Sequence, residues 1–496
     1  MRRRTVLSGL IASLTPRWSW SRTANSSDPT SLPASELAAL LRSRRLGVLE
    51  YARTVAERVE QHQSLNAFIT FDAEQFLADA RRLERRRRRD GLLYGVAIPV
   101  KDSINTADYR TTAGTLALRT FQPAEDAPVV AQLRAAGALV LGKTNLHELS
   151  YGWTSNNHAF GAVRNPYDLT RIPGGSSGGT AAAVAARLAP LGVAEDTEGS
   201  IRVPAALCGL AGFRPTTGRY STEGAAPISP LFDQIGPVAS HAQDLLLFDR
   251  VIHPSSAALR SVSLEGVRLA VVRNDLWSDL HPSVSHAAEE ALRRLQAHGA
   301  IVVEAEFPQL TSLVDAIAEP IQNHDVRTAL AAYLARYHAP ATFDEVLQSA
   351  SSDIRAVFEQ YVLPGGAGFT DDHQYREMTR VLRPRLQQAY ADFFASTRTE
   401  ALVFPTTRVT APRIGEEESV DIGGRRIDFG HAIASNISAG STAGLPGLVL
   451  PMGLDNQGLP MSLEFDGPSG SDARLLGLAC AIEQALGRLP PPPAIS

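Results

Sequence analysis

Residues 171–204 read RIPGGSSGGTAAAVAARLAPLGVAEDTEGSIRVP and contain two polar turns joined by a small-residue segment. The alanine-rich segment 180–188 predicts a close-packed helix, because alanine loses no side-chain entropy in a helix. Each turn contains glycine and serine, and glycines let a backbone approach a substrate and turn its N–H groups toward developing negative charge. The turns therefore predict a site that brings Ser176 and Ser200 together. An ordinary Gly/Ser loop is the alternative for the first turn, 174–179.

Lysine is scarce, since only Lys101 and Lys143 occur among 48 lysines plus arginines. Arginine stays protonated, whereas a desolvated lysine can lose its proton and act as a base. A lysine in such a chain therefore indicates chemistry that arginine cannot perform. Lys101 ends the apolar run 94–100, which predicts a buried strand. We expect Lys101 to be the base of the site.

Together these segments resemble the amidase signature family. The matching motifs are GVAIPVKDSI around Lys101, LGKTNLHELS, GGSSGG, DTEGSIRVPAALCG and GLAGFRPTTGRYS. The spacing also agrees with typical members, with 75 residues from Lys101 to Ser176 and 24 from Ser176 to Ser200. The resemblance is dense over residues 92–251 and looser over 402–486.

The resemblance implies a fold, a reaction and a set of site residues. The fold is α/β, with a central mixed β-sheet flanked by helices on both faces. Ser200 would be the nucleophile of an amide hydrolysis through an acyl-enzyme, Ser176 the bridging serine after a cis peptide bond, and Lys101 the base. The implied oxyanion-hole residues are Thr197, Glu198, Gly199 and Ser200, and the supporting residues are Ser177, Asp196 and Arg202, with Lys143 and Asn145 as structural support. No cofactor is implied.

One position departs from the family pattern. Glu198 stands where the family usually has glycine, within the turn whose backbone N–H groups would form the oxyanion hole. Its N–H can still donate if the turn needs no positive φ, which a side chain disfavours by about 1–2 kcal/mol.

The resemblance also extends to one branch of the family. The segments SAGSTAGLPGLVLP, FPTTRVTAPRIG and YGWTSNN look most like the indoleacetamide and mandelamide hydrolases. They are less similar to the glutamine-using subunit of tRNA amidotransferases. This implies a small-molecule substrate, an aryl-substituted primary amide such as indole-3-acetamide or mandelamide; an aliphatic or fatty amide is the alternative. Trp153 and Phe160 are candidates for a flat surface against the ring, and core packing is the alternative for both.

The hydrophobic pattern predicts one large domain after an N-terminal extension. Residues 29–90 predict a helical segment, in which Ser35 would cap the first helix. Residues 91–490 predict a single amidase domain. Its three parts are a signature core, a variable helical region that shapes the pocket in similar enzymes, and a C-terminal core: 91–251, 252–400 and 401–490. In the last part, residues 440–451 predict a turn followed by a buried strand.

Composition excludes several partners. A net charge of −4 provides no field for nucleic acid or an anionic membrane. The arginine run 85–89 predicts a solvated helix end, because no aromatic residues interleave with it. Two cysteines are too few for a disulfide framework, and Cys208 lies in an apolar setting typical of a core thiol. The chain contains no transmembrane pattern, and whether it forms a homodimer stays open.

The N-terminal residues 1–28 contain Arg3 and Arg4 before a short apolar run, 6–14. This arrangement resembles a twin-arginine export signal and is too short for a membrane span. The segment lacks a convincing A-x-A cleavage site, and an over-extended start would look the same. The location is therefore periplasmic if the signal is real and cytoplasmic otherwise.

Three other motifs compete for function. GGSSG also satisfies G-x-S-x-G, the nucleophile elbow of serine esterases, but Pro173 makes a poor strand before it and His431 has no obvious orienting acid. GALVLGKT at 137–144 matches a Walker loop in letters, although its middle residues predict an apolar strand. His147 lacks the second histidine that a metal motif needs. A non-catalytic relative is the remaining alternative, yet all three catalytic positions are filled.

Overall fold

The structure is a computed structural model that describes residues 28–254 and 262–493. The predicted twin-arginine segment, with Arg3 and Arg4, lies outside these residues. The strands are β1 Phe68–Thr70, β2 Ala97–Lys101, β3 Leu139–Thr144, β4 Asn156–Asn157, β5 Gly161–Ala162, β6 Leu191–Asp196, β7 Ala211–Arg214, β8 Gln234–Ala239, β9 Arg268–Val271, β10 Ile301–Glu304, β11 Ala401–Pro405, β12 Ser419–Ile422, β13 Arg425–Asp428, β14 Gly447–Leu454 and β15 Pro460–Asp466.

Helices connect these strands. They are α1 Ala34–Arg42, α2 Val48–Gln61, α3 Ala73–Glu84, α4 Pro128–Ala135, α5 Gly178–Ala185, α6 Arg202–Leu207, α7 Ala242–Ile252, α8 Arg273–Leu276, α9 Pro282–Ala297, α10 Leu310–Asp315, α11 Ala318–Arg336, α12 Phe343–Ser349, α13 Ser352–Val357, α14 Asp372–Glu377, α15 Arg383–Thr397, α16 Phe429–Ala443 and α17 Asp472–Leu486. Two π-helical segments, Phe358–Val362 and Met378–Leu382, extend α13 and α14.

Within the described residues, eleven strands form one mixed sheet in the order β1-β3-β2-β6-β8-β7-β14-β15-β11-β9-β10. Parallel pairs join β2 to both β3 and β6, and β9 to both β10 and β11, while the other pairs are antiparallel. Most of the inner strands are buried along their whole length because helices cover the sheet. The predicted α/β fold with a flanked mixed sheet is confirmed.

The middle of the sheet positions the polar turns. β2 and β6 run parallel, with Val100 paired to Val193, so their carboxyl ends reach the same edge. α5 follows the first turn and is buried along its whole length, which its glycine and alanine residues permit. A Cβ at Gly179 would overlap the carbonyl oxygens of Ala67 and Asn145. The small residues of α5 therefore let the first turn approach β3 closely.

Several local predictions differ from the structure. The first helix begins at Ala34, with Pro33 rather than Ser35 as its N-cap, and the Ala34 N–H is bound at 2.9 Å by Asp244 Oδ2 from α7. Because a distant carboxylate satisfies this N–H, no local capping side chain is needed. The turn and buried strand predicted over 440–451 are present but begin later, because residues 440–443 belong to α16, the chain turns at Gly444 (φ 84°) and β14 follows.

Other predictions are confirmed in place. β3 contains the apolar middle of the Walker-like motif, as its sequence predicts. No helix in residues 28–254 or 262–493 combines the length and apolar character needed to cross a bilayer.

Candidate active site

Lys101 lies at the carboxyl end of β2, directly opposite the first polar turn. Its Nζ is 2.7 Å from Ser176 Oγ, and both side chains are fully buried. The peptide bond between Gly175 and Ser176 is cis, as the resemblance implies. The same Nζ contacts Glu195 twice, at 3.2 Å from its carbonyl oxygen and 2.8 Å from Oε2. The amine thus has three oxygen neighbours.

Backbone contacts tie the two turns together. The Ser177 N–H donates to the carbonyl oxygen of Ser200 at 3.3 Å, and the Ser177 hydroxyl donates to that of Glu195 at 3.0 Å. The Ser176 carbonyl oxygen accepts from the Ser155 hydroxyl at 3.1 Å and from the His147 N–H at 3.1 Å. Ser200 therefore lies beside the Lys101–Ser176 pair, and it forms part of a cavity wall.

The Asp196 carboxylate holds the second turn in place through hydrogen bonds to its backbone. Its carboxylate accepts the N–H groups of Gly199 at 2.8 Å and Ile201 at 3.0 Å, and it contacts Arg202 at 3.1 Å and Arg214 at 3.3 Å. Burial raises the pKa of Asp196, but the two guanidinium groups outweigh it and bring the pKa to about 2. The carboxylate is therefore ionised and holds the turn in shape at neutral pH.

Arg202 extends this support into the sheet. Its Nη1 lies 2.7 Å from Glu464 Oε1 on β15 and donates to the Ile437 carbonyl oxygen at 3.2 Å. Although burial lowers the pKa of Arg202, the Asp196 and Glu464 carboxylates raise it above its ordinary value. Removing one partner of such a buried pair leaves a charge uncompensated, so the loss of either carboxylate should destabilise this region.

The structure corrects the predicted set of oxyanion donors. The Gly199 N–H is already donated to Asp196, which removes Gly199 from that set. Thr197, Glu198 and Ser200 stay as candidates. Gly199 instead supplies the left-handed position, with φ 107°, and a Cβ there would overlap Ile437. Glu198 is not among the residues with positive φ, so the glycine-to-glutamate departure leaves the turn unstrained.

The Glu198 side chain is buried and contacts two helices. Its carboxyl oxygens accept hydrogen bonds from Gln322 of α11 and Ser438 of α16. Burial raises the pKa of Glu198 to about 7, against the smaller opposite effect of these two hydrogen bonds. The backbone carbonyl of Glu198 accepts the Trp153 indole N–H at 3.1 Å.

A cavity of about 270 Å³ opens in front of Ser200. The aromatic and apolar residues of its wall are Tyr151, Trp153, Ile228, Val357 and Tyr361. Its polar residues come mainly from the second turn and from α11, and they include Thr197, Glu198, Glu319, Gln322 and Asn323. A second cavity of about 370 Å³ adjoins it, and Trp153, Glu198 and Glu319 line both. The predicted variable helical region thus does contribute to the pocket.

Comparison with known proteins identifies the family of this chain. A family model described as Amidase matches residues 50–476. The chain belongs to the amidase family. This amidase is 37% identical to an indoleacetamide hydrolase of Agrobacterium vitis over 452 residues, which is 90% of this chain and 95% of that protein. It is 38% identical to a mandelamide hydrolase of Pseudomonas putida, covering 93% and 92% of the two chains.

Solved structures agree as well. The native peptide amidase of Stenotrophomonas maltophilia superposes with a TM-score of 0.78 at 29% identity, covering 93% of this chain and 98% of that one. Membership of the family makes this chain an amide-hydrolysing enzyme.

The remaining predicted residues of this amidase lie around the site. Lys143 Nζ pairs with Asp102 Oδ1 at 3.2 Å and donates to Thr111 Oγ1 at 2.7 Å, so it is bound next to, but not in, the Lys101 cluster. Asn145 Nδ2 donates to the Gly161 carbonyl at 3.0 Å. Cys208 is buried, and burial raises the pKa of its thiol.

The competing nucleophile elbow does not fit the described geometry. No strand of the described residues leads into Ser176, and the Ser176 hydroxyl contacts Lys101 rather than a histidine. His431 lies at the start of α16 and lines the second cavity. Phe160 is not part of the described wall of either cavity.

Sequence reasoning missed several residues of this amidase. Glu195, Gln322 and Ser438 all contact predicted site residues, yet none was singled out as functional. One signal was available in the sequence, because Glu195 directly follows the apolar run that begins β6 and is therefore expected to be buried. The structure shows that it is buried. A buried carboxylate needs a cationic or hydrogen-bonding partner.

Proposed function

We propose that this amidase hydrolyses a neutral, aryl-substituted primary amide to its carboxylic acid and ammonia, with Ser200 as nucleophile. The observation that carries the proposal is the cavity in front of Ser200, whose wall combines Trp153, Tyr151 and Tyr361. Aromatic side chains bury a flat ring favourably. The names of two relatives, an indoleacetamide hydrolase and a mandelamide hydrolase, support the same substrate class.

The first half-reaction forms the acyl-enzyme. Neutral Lys101 takes the proton of the Ser176 hydroxyl, and Ser176 takes that of Ser200 as its Oγ forms a bond to the amide carbonyl carbon. Backbone N–H groups of Thr197, Glu198 and Ser200 stabilise the resulting oxyanion. The proton returns through Ser176 to the amide nitrogen, the C–N bond breaks, and ammonia leaves.

The second half-reaction uses the same groups for water. Lys101 and Ser176 accept a proton from water as it attacks the acyl carbon, and the proton is then delivered to Ser200 Oγ as the ester bond breaks. The acid departs and the site is restored. Each proton thus moves between neighbouring groups, and no co-reactant besides water is consumed.

Charge in the cavity favours neutral amides over amides that carry a carboxylate. Glu198 and Glu319 both line the cavity. Because the pKa of Glu198 is about 7, it is partly ionised at neutral pH. A substrate carboxylate beside it meets like charge in a poorly solvated space. An amide that carries a carboxylate and no compensating ammonium, such as succinamate, should therefore bind poorly.

The test is ammonia release from a panel of primary amides: indole-3-acetamide, mandelamide, phenylacetamide, acetamide and glutamine. A ring that buries about 100 Å² of apolar surface gains about 2.5 kcal/mol. That gain corresponds to about 70-fold in kcat/KM. We expect such a preference for the aryl amides over acetamide. A preference for glutamine would reject the substrate class and leave the Lys101–Ser176–Ser200 chemistry in place.

A further inference from the structure

The Lys101 amine has a contact pattern that matches the neutral base. A neutral amine has two N–H donors and one lone pair, whereas an ammonium has three N–H donors. Two of the three oxygen neighbours of Nζ belong to Glu195, and the third is Ser176 Oγ. If Glu195 accepts both N–H groups, the lone pair faces the Ser176 hydroxyl. Once the proton arrives, the same three oxygens accept all three N–H groups.

A second carboxyl group adjoins Glu195 through one hydroxyl. Thr197 Oγ1 lies 3.0 Å from Glu195 Oε1 and 2.7 Å from Asp233 Oδ1. A hydroxyl has one hydrogen, so it donates to only one of these oxygens. The other contact is a hydrogen bond only if that carboxyl group is itself protonated. Glu195 already accepts a hydrogen bond from the Lys101 amine through Oε2, so the extra proton belongs on Asp233.

The surroundings of Asp233 agree with this placement. Burial, and then the Glu195 carboxylate, raise the pKa of Asp233 to about 8. Its oxygens also accept the N–H groups of Ile228 at 3.0 Å and Ser229 at 3.1 Å. The hydrogen bonds thus run from Asp233 through Thr197 to Glu195, and Glu195 contacts Lys101.

Resting on the function proposed above, we propose that Glu195 is a positioning residue for the base. Its carboxylate directs the Lys101 lone pair at Ser176 and stabilises the ammonium that forms in each half-reaction, while Thr197 and protonated Asp233 hold Glu195 in place. The proton count is unchanged, because the proton that Lys101 gains from Ser176 is the one it later returns.

The other charged groups near Lys101, Glu195 and Asp233 contact other partners. Asp325 of α11 is one hydroxyl further away, where it accepts from Ser229 Oγ at 2.6 Å. Asp102, next in sequence to Lys101, contacts Lys143 and the Thr112 N–H. The charge that faces Lys101 most closely is therefore that of Glu195.

The experiment follows covalent labelling of Ser200 by phenylmethanesulfonyl fluoride, measured by mass spectrometry across pH. The Ser200 Oγ–S bond forms, fluoride leaves and the proton passes to Lys101, so the rate reports the base without amide turnover. Because the neutral amine is the active form, the labelling rate should rise with pH and then reach a plateau. We call the rising part of this pH–rate profile its acid limb. If Ser200 is labelled with the expected pH dependence but the enzyme prefers glutamine as substrate, only the proposed aryl substrate class is refuted.

Two variants should move this limb in opposite directions. Glu195→Gln keeps the shape but removes the charge that favours the ammonium, so the limb moves to lower pH and the plateau rate falls about 10²-fold. Thr197→Val removes the hydrogen bond that Thr197 donates to the Glu195 carboxylate. The carboxylate then stabilises the Lys101 ammonium more strongly, so the acid limb moves to higher pH. A merely structural role would shift neither limb.

The control is Glu60→Gln, at an exposed position of α2, which should keep the wild-type profile. If Glu195→Gln does not fold, as judged by circular dichroism, Thr197→Val decides alone. An acid limb that stays at the wild-type pH in the folded variants overturns the proposal.

Discussion

Lys101 Nζ lies 2.7 Å from Ser176 Oγ, and the two residues come from a strand and a turn that are 75 residues apart. Both side chains are excluded from solvent. Water therefore does not compete for the contact, and a proton that leaves Ser176 passes directly to the amine. Lys101 and Ser176 thus have different roles, base and bridge, and mutation of each should affect turnover to a different degree.

The first prediction separates the nucleophile, the bridge and the base. Ser200→Ala should abolish turnover, Lys101→Ala should nearly abolish it, and Ser176→Ala should leave a small residual rate. Acid–base steps of this kind contribute about 10²–10⁴-fold. Ammonia release with the preferred aryl amide provides the measurement.

The control for charge is Lys101→Arg, which keeps a cation beside Glu195 but cannot deprotonate. It should be folded and inactive. If Ser176 proved dispensable while His431→Ala removed activity, a histidine-based elbow would replace the lysine mechanism.

The second prediction concerns the backbone of Glu198. Glu198→Gly retains the N–H and should keep substantial activity, although it removes the contacts with Gln322 and Ser438. Glu198→Pro removes the N–H and should lose most activity, because one oxyanion donor is worth about 10²–10³-fold in kcat. Equal, wild-type rates in both variants would show that this N–H does not bind the oxyanion.

The third prediction concerns the Glu198 side chain and pH. With a pKa of about 7, the group is mostly protonated at pH 6 and mostly ionised at pH 8. Discrimination of phenylacetamide over succinamate, whose carboxylate has no compensating ammonium, should therefore increase between these pH values. Glu198→Gln is neutral throughout and should show no such increase. Identical pH dependence in the two proteins would mean that Glu198 does not face the substrate.

Sequence alone predicted the local parts of this site and missed its long-range contacts. The glycine–serine turn and the apolar run before Lys101 are local patterns, so Ser176 and Lys101 could be singled out. The partner of Glu195 could not be identified, because Lys101 precedes it by 94 residues and the two meet only when β2 and β6 pair. Gln322 and Ser438 lie 124 and 240 residues from Glu198, on helices whose packing no local pattern specifies.

The same limit applies to the fold. Apolar runs predicted β2, β3 and β14 as strands, because buried strands have a characteristic composition. Their neighbours in the sheet depend on which apolar faces meet in three dimensions. The capping prediction at Ser35 was wrong for a related reason, since the carboxylate that binds the start of α1 comes from Asp244.

The fourth prediction tests the protonation of Asp233 through stability. Its pKa in the folded protein, about 8, is above the ordinary value of about 4 for the unfolded chain. The folded state thus binds more protons between these values, so this stabilisation is full below pH 4 and is lost as pH rises through 8. The melting temperature should fall between pH 6 and pH 9. In Asp233→Asn this fall should be smaller, and an equal fall in both proteins would place the proton elsewhere.

The last prediction tests whether Trp153 contacts the aryl ring. Trp153 is half-buried, lines both cavities and donates its indole N–H to the Glu198 carbonyl. It therefore has two separable functions, a flat surface and a hydrogen bond that supports the second turn. Trp153→Phe keeps most of the surface and loses the hydrogen bond, whereas Trp153→Ala loses both.

If the ring rests on Trp153, the alanine variant should lower kcat/KM for phenylacetamide about 10-fold more than for acetamide, which corresponds to about 1.4 kcal/mol of lost apolar contact. Trp153→Phe should keep the preference for phenylacetamide while lowering both rates modestly. Acetamide is the internal control, because it needs the second turn but has no ring. An equal loss for both substrates in Trp153→Ala would assign Trp153 to support of the turn and move the aryl site to another wall of the cavity.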